Sequence, residues 1–61
     1  MKILRNKDGT FDIYFSGKRE KSSILEPSLE RELCVRFGFC GPEYTEILSE
    51  VKGTGKVVRG C

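Results

Sequence analysis

Between Phe11 and Ser16 the chain alternates: Phe11, Ile13 and Phe15 stand against Asp12, Tyr14 and Ser16. A period of two predicts a β-strand with one face buried and the other wet. Asp8-Gly9 lies just before it and supplies a turn, because glycine accepts positive φ. Residues 2–6 and 10–15 therefore read as the two arms of a β-hairpin. Ser16-Gly17 is a second turn signal, and residues 18–25 read as a third strand. That segment is polar until Ile24 and Leu25, as suits an edge strand whose lysines discourage pairing with another chain.

The period then changes. Leu29, Leu33 and Phe37 recur every four residues with Cys34 beside them, which predicts one apolar stripe on a helix over residues 27–37. Pro27 suits its first position, where the missing N–H costs nothing. Glu26 and Glu30 lie near the positive end of the helix dipole, and Gly38 follows as a C-terminal cap. A second helix begins at Pro42. Tyr44, Ile47, Leu48 and Val51 fall at i, i+3, i+4 and i+7, and Gly53 is expected to end it. The expected core is Phe11, Ile13, Phe15, Leu29, Leu33, Cys34, Phe37, Phe39, Tyr44, Ile47, Leu48 and Val51.

Together these elements predict a small α+β fold, a two- or three-stranded antiparallel sheet packed on two helices. Residues 1–61 form a single small domain: 1–25 the hairpin and sheet, 27–51 the two helices, 52–61 a glycine-rich basic tail or short strand. A chain of 61 residues buries only ~60% of the surface it exposes when unfolded. Its core rarely supplies more than ~3–5 kcal/mol. There is little room for an enclosed pocket beside that core, so binding at the surface is favoured over chemistry in a cleft.

The stretch "LCVRFGFCGPEYTEIL", residues 33–48, has the shape of a helix-turn-helix. A recognition helix must present donors and cations to base edges and phosphates. Here the face opposite the apolar stripe carries Glu43, Glu46, Ser49 and Glu50. Those carboxylates would repel phosphates, so the pair of helices is expected to pack and not to read DNA.

Net charge is +2, too small to argue for a partner, but its distribution is uneven. Residues 1–25 carry Lys2, Arg5, Lys7, Lys18, Arg19 and Lys21 against Asp8, Asp12 and Glu20. Residues 26–51 carry six glutamates against Arg31 and Arg36, and residues 52–61 add Lys52, Lys56 and Arg59. The chain is basic at both ends and acidic in the middle, and such segregation bears on partners, not on fold.

The run "DGTFDIYFSGKREKSSIL" followed by a helix resembles the arm-type DNA-binding domain of tyrosine recombinases, over residues 3–38. The resemblance rests on the Asp8-Gly9 turn, the strand from Phe11 to Phe15 and "GKR" at 17–19. It implies a three-stranded antiparallel sheet set against one helix and laid in the major groove. It also implies that Tyr14, Lys18, Arg19 and Lys21 lie on or beside the groove-facing surface. Lys2, Arg5 and Lys7 would then contact phosphates. The recombinase's catalytic domain has no counterpart here, so only a binding module carries over.

Other chemistry finds little support. Three cysteines, an odd number, do not make a disulfide framework. Cys34 is expected to pack as a small hydrophobe, Cys40 to be half exposed and Cys61 to be a free thiol. With no histidine and a C-x5-C spacing, no metal site is expected. "KGTGK" at 52–56 lacks the full phosphate-binding loop and reads as a flexible, basic linker. No cofactor is implied. Without histidine the usual general base near neutral pH is missing, so the expectation is a non-enzyme. No segment has the length of an apolar membrane span and "MKILR" opens no signal peptide, which makes a cytoplasmic protein with no membrane partner the default.

Two functions follow. One is a non-enzymatic DNA-binding accessory protein of the phage or mobile-element kind, using the basic strands. The alternative is a small modulator of a host protein, docking through Glu43, Glu46 and Glu50 or through a sheet edge. Oligomeric state is not legible.

Overall fold

The computed structural model describes residues 1–59. Its elements are β1 (Lys2–Arg5), β2 (Phe11–Phe15), β3 (Lys18–Ile24), α1 (Glu26–Phe37), α2 (Pro42–Thr54) and β4 (Lys56–Val58). The strands form one antiparallel sheet in the order β3-β2-β1-β4. The α+β fold expected from the periodicities is present. The sheet has four strands because the C-terminal segment is a strand and not a tail.

Local chemistry sets each turn. Asn6 and Thr10 close the first hairpin by a backbone bond of 2.8 Å, and Asp8 accepts from the Thr10 amide and hydroxyl. At the second, Ser16 and Gly17 both take positive φ, 52° and 79°. That two-residue turn matches the twist of the strands it joins. β3 then spends seven residues against the five of β2, with register shifts on both sides of Ile13. The bulges curl an edge strand that would otherwise invite pairing.

Both helices pack on the face that carries Ile3, Ile13 and Val57, aligned on three neighbouring strands. Leu29 and Leu33 of α1, and Tyr44, Ile47 and Val51 of α2, complete the buried cluster with Phe11. Ile3 and Val57, absent from the expected core, are fully buried. Each sits on a short strand where one apolar residue, not a pattern, faces inward. Phe15, expected inside, is 36% exposed at the rim. It lies at the hairpin end of β2, beside the Phe37 ring at 5.6 Å. Phe37, Phe39 and Leu48 are partly buried against the cluster.

The cysteine expectation is overturned. Cys34 and Cys40 are joined by a disulfide, with Cα atoms 4.5 Å apart. The geometry follows from the end of α1: Gly38 and Phe39 donate their amides to Cys34 and Leu33 carbonyls, and this turn folds Cys40 back beside Cys34. Spacing alone did not carry that reversal. Cys61 lies outside the described residues.

The "KGTGK" segment is not a flexible linker either. Residues 52–54 are the last turn of α2, which runs through Gly53. The stop falls at Gly55, whose φ of 84° is left-handed and whose amide bonds to the Val51 carbonyl at 2.8 Å. Stopping there aligns β4 on β1 and delivers Val57 to the core.

Candidate functional site

Because the helices cover one face of the sheet, the other is open. Strand alternation sorts the side chains between them. Lys2, Leu4, Tyr14, Lys56 and Val58 alternate with inward-facing Ile3, Ile13 and Val57, so they fall on the open side. Arg19 joins them as the register partner of Tyr14. One row of partners, Val58, Lys2, Tyr14 and Arg19, thus crosses all four strands. The Lys2 ammonium lies 4.8 Å from the centroid of the Tyr14 ring. In the next row Leu4 stands between Lys56 and Asp12. Val58 is 62% exposed.

The seven basic-surface residues expected from sequence are therefore not one cluster. Lys2, Tyr14 and Arg19 come together on the open face. Arg5 and Lys7 lie at the end of the first hairpin, and Lys18 follows the turn at the opposite end of β2, all three exposed. Lys21 is turned to the helical side, where it reaches Glu32 of α1 at 4.0 Å. The bulge before it causes this: Ile13, an inward residue, is its register partner.

Asp12 is also misplaced by the alternation, which put it among wet side chains. It is only 9% exposed. Its carboxylate accepts from the Asn6 side-chain amide at 2.9 Å and from the Ser23 amide at 2.8 Å. These two bonds, the Asn6 one foremost, hold its pKa below the ordinary aspartate value. Ser23 has a φ of 53° where β3 is out of step with β2, so its N–H has left the regular ladder. The carboxylate takes the place of the lost backbone partner.

Charge separates between the two layers. On the helical side, Lys21, Arg36, Lys52 and Arg59 pair with Glu20, Glu26, Glu32, Glu46 and Glu50. Among the described residues, Lys2, Arg19 and Lys56 have no acidic partner within ion-pair distance. The acidic trio proposed for protein docking is itself partly occupied. Arg59 lies 3.2 Å from Glu50 and 4.0 Å from Glu46, beside a groove of about 250 Å³ lined with Phe39, Glu43 and Ile47.

Sequence reasoning missed Lys56, Leu4 and Val58. The "KVV" triplet carried the signal, a β-prone centre behind a lysine, but its partner strand is 52 or more positions away. No helix of the described residues is long and apolar enough to cross a membrane. No family model, curated protein or solved structure matches this chain.

Proposed function

We propose that this protein is a small non-enzymatic DNA-binding accessory protein, of the kind phages and mobile elements encode. The open face of its sheet is the binding surface. One observation carries the reading. Three cations without carboxylate partners, Lys2, Arg19 and Lys56, share the face that no helix covers, whereas Lys21, Arg36, Lys52 and Arg59 on the helical side are paired. Unpaired cations on one surface suit a polyanion, because each phosphate contact releases counterions. Lys7 lies exposed in the first hairpin turn, while Arg5 and Lys18, register partners of Phe11 and Phe15, fall on the other side of the sheet. The resemblance to the arm-type domain of tyrosine recombinases supports the same reading, since it implies strands with a helix on one side and nucleic acid on the other.

Docking of a host protein through Glu43, Glu46 and Glu50 is less well supported, because Arg59 already engages two of the three.

Fluorescence anisotropy on labelled DNA at several salt concentrations tests the proposal. Wild type should bind at micromolar concentration or tighter, with a log–log salt slope of about −2 to −3 for three contacts. A Lys2/Arg19/Lys56→Gln variant should lose that binding. An Arg31/Lys52→Gln variant, altered only on the helices, should keep most of it. Absence of binding at low salt, or equal loss in both variants, would end the proposal.

A further inference from the structure

We infer that the open face takes an unpaired DNA strand, with one base stacked on Tyr14 and the backbone held by Lys2, Arg19 and Lys56. This rests on the nucleic-acid reading above and adds the form of the ligand. The argument starts from what occupies the middle of the face. The two central strands present Tyr14 and Leu4, and the neighbouring edge strand presents Val58. A duplex offers only phosphates and base edges. Those edges are read chiefly by Arg, Lys, Asn and Gln, of which the two central strands present Lys2 alone on this face, already set over the Tyr14 ring. Here the one guanidinium is Arg19, on the outer strand β3, and the one carboxylate, Asp12, is bonded within the protein.

The Tyr14 ring, with Leu4 diagonal to it, is matched instead by the flat face of a base, which is accessible only where bases are unstacked. Lys2 and Arg19 stand on either side of Tyr14 in its row, so phosphates before and after a stacked base meet a cation each. The ammonium of Lys2 already covers the ring at 4.8 Å. An arriving base takes that position and the ammonium moves to the adjoining phosphate. Breadth points the same way. Four strands span about 14 Å at ~4.8 Å spacing, more than the roughly 12 Å major groove that admits a helix or a two-stranded ribbon. The choice of DNA follows the nucleic-acid reading above, and an rU strand tests it.

The test compares a labelled ten-nucleotide dT strand, its duplex with dA, and the rU strand, in one low-salt buffer. The dT strand should bind at least ten-fold more tightly than the duplex. Tyr14→Ser should weaken dT binding about five- to 150-fold, as loss of one stacked base does, and change duplex binding less than two-fold. Tyr14→Phe should bind like wild type. Wild type alone gives a second reading that needs no variant to fold. Tyr14 and Tyr44 are the two tyrosines, and adding dT should move the Tyr14 ring protons upfield while leaving those of buried Tyr44 in place. Duplex bound as tightly as dT, rU bound ten-fold more tightly than dT, or no Tyr14 shift would overturn the inference and leave nucleic-acid binding standing. Failure of all three ligands to bind would remove both.

Discussion

At the scale of single residues, Asp12 is the one buried charged side chain among the described residues. It satisfies the amide of Ser23 at the bulge together with the Asn6 side chain. Replacing it with alanine takes the acceptor from the Ser23 amide and one of two acceptors from the Asn6 side-chain amide, which also donates to the Thr10 hydroxyl; losing these charge-assisted bonds costs about 2 kcal/mol. Urea unfolding at pH 7 should show Asp12→Ala less stable by about that amount. The pH dependence has a defined sign. The folded state lowers the pKa of Asp12, so its contribution is whole above the ordinary aspartate value of about 3.9. It fades as pH falls through the lowered value in the folded state. The stability gap between wild type and Asp12→Ala should therefore close as pH is taken from 5 towards 2. A gap constant over that range would show that the charge on Asp12 contributes nothing.

At the scale of elements, the turn between α1 and α2 is fixed twice. Backbone bonds from Gly38 and Phe39 close the end of α1, and the disulfide from Cys34 to Cys40 spans the same turn. Both α1 and α2 are capped without a side-chain bond at their N-termini, each with a proline in the first turn. Closing so short a loop limits the unfolded chain, an effect of about 2 kcal/mol by loop entropy. Against a core worth ~3–5 kcal/mol, that is a large share. Cys34→Ser/Cys40→Ser, or wild type in reducing agent, should unfold at a midpoint lower by roughly 10 °C, since 1 kcal/mol is worth ~4–8 °C in a chain this small. Thermal melts followed by circular dichroism, with and without reductant, measure it. A double variant insensitive to reductant beside a sensitive wild type assigns the effect to this bond.

At the scale of the whole molecule, β4 completes the sheet. It covers β1 and brings Val57 into contact with the core formed by elements far earlier in the chain. Val57→Ala should cost about 2 kcal/mol, in the range of large-to-small changes at sites with no exposure. Val58→Ala, one position on and 62% exposed, should change stability by less than ~0.5 kcal/mol. Chemical denaturation of the two variants tests the assignment of faces. Equal costs would mean that β4 does not present Val57 inward. The same closure gives the molecule two chemically different sides, a helical side laced with ion pairs and a sheet side with unpartnered cations.

Much of this fold is legible in the residues. The alternation from Phe11 to Phe15, the four-residue recurrence of Leu29, Leu33 and Phe37, and the prolines at both helix starts are local signals with local causes. They determined strand, helix and turn, and hence the α+β class. The candidate surface was legible only as a list of basic residues. Which of them share a face depends on register, and the bulge between Arg19 and Lys21 turned Lys21 towards the helices while leaving Arg19 beside Tyr14. Pairing of β4 with β1, the bond between Cys34 and Cys40 and the burial of Asp12 join positions whose neighbours in sequence give no sign of the contact. The sequence by itself determined which elements form, because backbone propensity and side-chain period act over a few residues. Only the tertiary structure decided which cations stand free and on which side, because that depends on contacts between residues remote along the chain.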